Sequence, residues 1–538
     1  MRSTNPFPEP GVDPRLPVDQ LADWLLGTVV HCTLGLAIGM TAARIMRARH
    51  LRWSWAALGL MPVVLAASSL GGSTSTIAIA ALSAALWGRR WHREDIDAGA
   101  DLAELAARRR GPLDVLRASV RRAAMRRRAT QGTDGWFRGE ELILGRDESC
   151  RAVSVPCGGH GGGRHTLVVG ATGSGKTITQ TWMAVRAIER GMGAIVVDPK
   201  GDRRMREEVR RAARAAGRRF VEWAPDGDAV YNPYARGSET EIADKTLAGE
   251  RFTEPHYLRQ AQRYLGHLVR ALRKSGSEVS LRGIVDHLDP ARLELLARSL
   301  SEREAQATHD YLDSLTARQQ SDLAGVRDRL AILAESDVGP WLDPRTANAE
   351  RFDLFEAARA RAVVYFNLES DSRPLLAQML GAAIVQDLQT TVAALQGRPT
   401  PTLVVIDEFS AVAAEQVVRL FGRARSAGFS LLLGTQEVSD LRPPGRERLL
   451  EQVMGNLSAL VAHRQVVPAS AELIASVAGT RGAWKVARSS DGRTTRTRAR
   501  EAVLDANEVM GLGQGWAAVI VPGSGVRIAR IFSVRRGR

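Results

Sequence analysis

The stretch "HTLVVGATGSGKT", residues 165–177, constrains this chain more than any other. Leu167 to Val169 form a short apolar strand. Gly170, Gly175, Lys176 and Thr177 then complete the pattern G-x-x-x-x-G-K-[ST], and "ITQTWMAVRAIER" follows with the patterning of a helix. Strand, glycine loop and helix in that order make the pattern a phosphate cradle. Glycines let the backbone N–H groups of Gly170, Ala171, Thr172, Gly173, Ser174, Gly175, Lys176 and Thr177 come close to phosphate oxygens. The start of the helix adds a positive dipole. Lys176 is expected to reach the β and γ oxygens of ATP, and the Thr177 hydroxyl to bind Mg²⁺. The fold class that follows is α/β, with a P-loop core.

A second motif comes late, in "TLVVIDEFS", residues 402–410. Four apolar residues end in Asp407 and Glu408. Paired carboxylates behind a buried strand are costly unless a cation or hydrogen bonds compensate. Asp407 is expected in the shell of Mg²⁺, directly or through water, and Glu408 to polarise the attacking water. The next strand, "SLLLGTQE", ends at Gln436, either a sensor of the γ-phosphate or an ordinary polar residue at a strand end. In "GAIVVDPKGD", residues 193–202, Asp198 and Lys200 sit at the carboxyl end of a strand, where α/β ligands bind. Asp, Pro and Gly there also suit a plain turn.

Far more chain separates Thr177 from Asp407 than a minimal α/β core needs. Residues 236–344 account for it: they are rich in Ala, Leu, Arg and Glu and show helical periodicity in "HYLRQAQRYLGHLVRALRK" and "DLAGVRDRLAIL". They read as an all-α domain inserted between a first core part, 136–235, and a second, 345–538. The core resumes with a strand at 361–369 and a helix near 374–395. After Gln436 come a helix, the strand "ALVAHR" and a further helix. The polar stretch 480–500 reads as a loop, and "GWAAVIVPGSGVRIARIFSVR" as a short C-terminal β-hairpin.

Residues 1–93 read as an N-terminal tail and transmembrane anchor. Residues 24–43 carry no formal charge and suffice for one membrane helix. The acidic flank before them argues against a cleaved signal peptide. Arg44, Arg47, Arg49 and Arg52 follow, then an uncharged run over 53–88 broken by "SSLGGSTST", then Arg89, Arg90 and Arg93. Keeping both arginine clusters cytoplasmic predicts spans at 24–43, 53–69 and 76–88 with the N-terminus outside. Two spans, the second long and tilted, and a buried helical hairpin are the other readings. Residues 94–135 form a basic juxtamembrane helical segment, suited to anionic lipid, to nucleic acid or to plain solvation. The whole chain has a formal charge of +15, which fits an anionic partner. Cys32, Cys150 and Cys157 are too few for a disulfide framework.

Within "FGRARSAGFS", at 100° per residue, Ala413, Val417, Leu420, Phe421, Ala424 and Gly428 share one helix face. Arg419 and Arg423 lie opposite, whereas Arg425 borders the apolar stripe.

Membrane spans, "HTLVVGATGSGKT", "VVDPKGD", a helical insertion, "VVIDEF", "GRARSAG" and "GTQ" occur here in one order. That order resembles the type IV coupling proteins of bacterial conjugation, TraD/TraG-like ATPases within the FtsK/HerA class of RecA-like motors. The resemblance implies a RecA-like core, a cytoplasmic-membrane anchor and a homohexamer. It also implies an all-α insertion that helps recognise substrate. The partners it implies are a relaxase–DNA complex, with single-stranded DNA passed on, and the components of a type IV secretion channel. It makes Arg425 the arginine that reaches a neighbouring subunit's γ-phosphate. The chain departs from the family in its span count and in lacking an acidic C-terminal extension. A duplex-DNA pump of the FtsK kind and a docking platform for secreted proteins are the competing readings.

Overall fold

The computed structural model describes residues 16–49, 51–60, 71–97, 112–159, 162–250, 252, 254–346, 349–412, 414–442, 448–488 and 494–534. They fall into two compact units: the described residues up to Ala124 with Gly482–Glu501, and Met125–Arg481 with the chain from Ala502 onward.

In the first unit the helices Leu16–Ala48 and Gly71–Asp97 lie side by side. His31 Nδ1 stands 2.8 Å from the Thr76 hydroxyl, and Ser83 Oγ donates to the Gly35 carbonyl at 3.4 Å. Farther along, the Arg47 guanidinium lies 5.6 Å from the Trp91 ring centroid. Contact numbers rise together, so the two helices run parallel. Gly35 and Gly39, four apart, face the second helix, and Ala43, four further on, is buried. A Cβ on Gly39 would stand 1.7 Å from Ser83 Oγ, so the backbones meet where only glycine fits.

Among the described residues one helix, Leu21–Ala48, is long and apolar enough to cross a membrane. It contains the expected span 24–43. The other two expected spans do not appear as such helices. Trp53–Leu60 is a 3₁₀ helix, and 61–70 lie outside the described residues. The expected third span, 76–88, falls on the helix Gly71–Asp97, whose apolar middle sits between "GGSTST" and "RRWHRED". Those polar ends shorten the stretch that suits hydrocarbon.

The second unit is built on twelve strands in one sheet. In chain order the strands of the molecule are β1 Phe137–Arg138, β2 Glu141–Arg146, β3 Ala152–Pro156, β4 Thr166–Val169, β5 Gly193–Asp198, β6 Phe220–Trp223, β7 Ala229–Tyr231, β8 Glu350–Phe352, β9 Val363–Asn367, β10 Thr402–Ile406, β11 Phe429–Thr435, β12 Ala459–Ala462, β13 Thr480–Arg488, β14 Thr494–Ala502, β15 Trp516–Val521 and β16 Gly525–Ile531. The order across the sheet is β1-β2-β16-β15-β12-β4-β11-β10-β5-β9-β6, with β3 on β2. From β12 to β6 every pairing is parallel, and the pairings from β15 to β1 are antiparallel.

The parallel strands are continuous apolar runs because helices cover both faces. Alternate residues go to opposite sides. Leu167, Ile195, Val404 and Leu431 join one core, and Val168, Val196, Val405 and Leu432 the other. The helices Lys176–Glu189 and Arg203–Ala215 pack into the second core. Helix Pro374–Ala394 packs into the first. Six helices between Glu239 and Ala334 extend that same core, with no strand among their described residues. Lys245, fully buried on the first of them, pairs with Asp387 at 2.6 Å, and Tyr231 donates to the other Asp387 oxygen at 2.8 Å. The α/β class with a helical block between the two motifs is therefore the observed fold.

The polar stretch 480–500, apart from 489–493, which lie outside the described residues, is not a loop. Among its described residues it forms β13 and β14, paired with each other in a two-stranded sheet. Threonines alternating with arginines over 494–500 fit an extended strand, and a two-stranded ribbon needs no buried face to satisfy its backbone.

Candidate functional site

The glycine loop leaves β4 at its carboxyl end and enters helix Lys176–Glu189. Three neighbouring segments hold its backbone. Gly170 N–H donates to the Thr435 carbonyl at 3.3 Å, and Ala171 N–H to the Arg464 carbonyl at 3.0 Å. Gly515 N–H donates to the Ser174 carbonyl at 2.9 Å. Gly175 has φ +119°, which calls for glycine, and a Cβ there would stand 3.2 Å from the Gly515 backbone, a tight fit. Gly175 caps the helix without a side-chain hydrogen bond, which leaves the first helical N–H groups for a ligand.

Lys176 lies between the two carboxylates of the second motif. Its Nζ stands 2.5 Å from Glu408 Oε1 and 3.0 Å from Asp407 Oδ1. Lys200 Nζ reaches the same Glu408 oxygen at 2.9 Å. Two cations thus face two carboxylates, which offsets the cost of burying Lys176, Asp407 and Glu408. Glu408 has φ +45°, a left-handed conformation that costs a non-glycine residue about 1–2 kcal/mol. Such strain gathers at functional sites.

Behind the carboxylates, Gln180 Nε2 donates to Asp407 Oδ1 at 3.0 Å. Gly434 makes room for this bond: a Cβ there would lie 2.3 Å from both Asp407 Oδ1 and Gln180 Nε2. Beneath the loop, fully buried His463 has Nδ1 2.9 Å from the Trp516 carbonyl and Nε2 2.8 Å from the Thr179 hydroxyl. Nδ1–H therefore donates to the carbonyl, and Nε2 accepts from Thr179. Burial, aided by the Lys176 charge, lowers the His463 pKa to about 4, so the ring is neutral.

Asp198 closes the turn after β5. Its carboxylate accepts from the N–H groups of Lys200, Gly201 and Asp202 at 3.0, 3.0 and 2.6 Å, and from the Tyr365 hydroxyl at 2.5 Å. Burial pushes its pKa up, against these hydrogen bonds. The turn reading thus suits Asp198, while Lys200 extends into the site.

Of the residues singled out in the sequence, Gly170 to Thr177, Asp407, Glu408 and Gln436 come together. Thr172 Oγ1 donates to Gln436 Oε1 at 3.4 Å. Thr177 lines a cavity beside the loop with Thr181, Asp202, Met205 and Val534. Arg425 does not join them. Helix Ala414–Ala424 ends before it, and its carbonyl accepts from Gly163 N–H at 3.1 Å, at the amino end of β4. The whole of β4, four residues or about 13 Å, stands between Arg425 and the loop. Val417, Leu420, Phe421 and Ala424 are buried and Arg419 and Arg423 exposed, in keeping with the helical wheel. Gly428 lies past the helix with φ +83°, in the turn into β11 rather than on the apolar face, and Ala413 is outside the described residues.

Sequence reasoning missed Thr179, Gln180 and His463. The available signals were two polar residues inside the loop helix and a histidine at the end of the apolar strand "ALVAHR".

Two atoms in this region bear on what it holds. Ser174 Oγ and Gln180 Oε1 are buried without a hydrogen-bond partner. With the uncapped helix start and Lys176, they leave donors and acceptors for a phosphate-bearing ligand. The hydroxyl of Thr177 and the carboxylate of Asp407 are hard oxygen donors of the kind magnesium takes.

Comparison with known proteins gives matches for two segments. Residues 163–336 match the family "Helicase HerA, central domain", and residues 401–514 match "TraM recognition site of TraD and TraG". Among solved structures, the bacterial conjugative coupling protein TrwB, in an unbound form, is similar with a TM-score of 0.55 and 17% identity, covering 76% of this chain and 93% of its own. The plasmid coupling protein TrwB in complex with ADP and Mg²⁺ gives 0.53 and 18% over 70% and 86%. VirB4 of Thermoanaerobacter pseudethanolicus gives 0.50 and 14% over 74% and 98%. No curated protein matches by sequence. At these identities the structures speak for a shared fold. With the two family models, they bear out the resemblance of this chain to the coupling proteins of the HerA class.

Proposed function

We propose that this chain is a membrane-anchored ATPase that couples ATP hydrolysis to the transfer of DNA, with bound relaxase, into a type IV secretion channel. The observation that carries the reading is the meeting of Lys176, Asp407 and Glu408 at the carboxyl ends of β4 and β10. The fold shared with TrwB, whose structure with ADP and Mg²⁺ is known, supports ATP and Mg²⁺ as its ligands. The apolar helix Leu21–Ala48 supports the inner membrane as its place.

In this reading the loop N–H groups and Lys176 bind the phosphates, Thr177 and Asp407 hold magnesium, and Gln436 senses the γ-phosphate. Magnesium, when bound, neutralises charge on the β and γ oxygens. Lys176 then turns from the carboxylates to phosphate, which frees Glu408 to orient water and take its proton. Arg425 stands at the amino ends of the strands, away from its own loop at their carboxyl ends, so as an arginine finger it serves a neighbouring subunit. That makes the working form a ring, here a homohexamer, with the inserted helices (residues 236–344) as a module for substrate recognition.

ATPase activity of the chain is measured with single-stranded DNA, duplex DNA or none. Lys176→Ala and Glu408→Gln are expected to abolish turnover, with Glu408→Gln still binding ATP. Arg425→Ala is expected to lose about 10³–10⁵ in rate, and mixing it with Glu408→Gln subunits to restore some activity. Full ATPase activity in Arg425→Ala alone refutes the finger. Stimulation by duplex DNA alone favours a duplex pump, and no response to any DNA favours a protein-docking platform.

A further inference from the structure

The β13–β14 ribbon has no part in the site described above. Gly479 stands against Val503, whose N–H donates to its carbonyl at 2.9 Å, and the Arg498 guanidinium lies beside Gly482. Partner numbers fall as the others rise, so the strands run antiparallel. Residues 480–502 carry seven basic residues against Asp491 and Glu501.

The side chains sort by face. A Cβ on Gly482 would meet the Arg498 guanidinium at 3.2 Å, so that group lies across the glycine on one face of the ribbon. Trp484, two residues on from Gly482, is on the same face, and Arg500 shares the face of Arg498. Trp484 is 64% exposed. Arg498 and Arg500 are also exposed. None of the ribbon's described side chains is buried, so a large aromatic ring in water beside two guanidinium groups has no role in folding them.

A lipid headgroup offers the same phosphate to these arginines. A phosphatidylglycerol headgroup, however, has no flat face to stack on Trp484, whereas a nucleotide offers a base and a phosphate together.

We infer that the ribbon binds single-stranded nucleic acid, with Trp484 stacked on a base and Arg498 and Arg500 on neighbouring phosphates. The inference rests on the reading of the chain as a DNA-handling ATPase. Unstacked bases are available to Trp484 only in a single strand.

The test uses the full chain in detergent and a fluorescein-labelled 20-nucleotide single strand, with binding followed by anisotropy over a series of salt concentrations. Trp484→Ala is expected to weaken binding about 5- to 150-fold, the fold-change for loss of one stacked base, and Trp484→Phe to restore most of it. The double variant Arg498→Ala/Arg500→Ala is expected to lower the slope of log K against log salt by about 1.4, or about 0.7 per phosphate contact. ATPase activity without DNA stays at the wild-type level in Trp484→Ala, which excludes misfolding. Wild-type affinity in all ribbon variants overturns the inference and leaves the proposed function standing. A wild-type chain that binds no oligonucleotide overturns both. Wild-type oligonucleotide affinity with weaker capture by vesicles of phosphatidylcholine and phosphatidylglycerol makes the ribbon a membrane contact, and also overturns it.

Discussion

Replacing His463 with glutamine tests how the glycine loop is held from below. The ring donates from Nδ1 to Trp516 and accepts from Thr179, so its second nitrogen is occupied as an acceptor and has no site for a proton. Its pKa is lowered to about 4 by burial and by Lys176, against an ordinary value of 6.5. The unfolded chain therefore takes up the proton first. The stability this group supports is complete above pH 6.5 and is lost as the pH falls through 6.5 toward 4. The full loss is about 3 kcal/mol, and about 2 kcal/mol is gone by pH 5. His165 behaves in the same way. Burial, and next the Arg425 charge, lower its pKa to about 4. Together the two histidines are expected to remove about 4 kcal/mol between pH 7.5 and 5. Glutamine at 463 can donate to Trp516 and accept from Thr179 without titrating. Urea unfolding of wild type and His463→Gln, followed by tryptophan fluorescence at pH 7.5, 6.5, 5.5 and 5, reads the difference. Wild type should lose stability faster than the variant by about 1 kcal/mol per pH unit below pH 6. Parallel pH curves for the two proteins would refute the buried neutral histidine.

Gly434→Ala drives a methyl group between Gln180 and Asp407, with contacts of 2.3 Å to both. It is expected to cost about 1–3 kcal/mol of stability and to weaken nucleotide binding; an unchanged urea midpoint and nucleotide affinity would argue against this packing. Gly39→Ile places its Cβ 1.7 Å from Ser83 Oγ and must separate the two N-terminal helices, so the thermal midpoint in detergent falls. Leu34→Ile, on an exposed position of the same helix, serves as the control and is expected to leave it unchanged.

The loop and the strands around it were legible because their chemistry is local. A glycine pattern between an apolar run and a helix, and a carboxylate pair after four apolar residues, carry their meaning within about ten residues. The parallel strands showed as uninterrupted apolar runs because both faces are buried. The ribbon was misread as a loop because its described residues bury no face, and such a strand lacks the apolar alternation that marks strands. The membrane end was legible only in its first span: in the uncharged run 53–88, whose residues 61–70 lie outside the described ones, serines, threonines and glycines shorten the described helix Gly71–Asp97 that would suit hydrocarbon.

By itself the sequence determined that a P-loop core would form, that residues 236–344 would be helical, and that the N-terminus would contain an apolar helix. Only the tertiary structure decided which distant residues share one site. Lys176 and Glu408 are 232 positions apart, and Thr179 and His463 are 284 apart. Strand order brings β12 and β11 to either side of β4, and no local pattern encodes that order. The same sheet puts Arg425 at the amino ends of the strands, opposite the loop, because a helix returning to the start of β11 must end at the amino side of the sheet. Its separation from its own loop is a consequence of parallel strands, not of the residues around it.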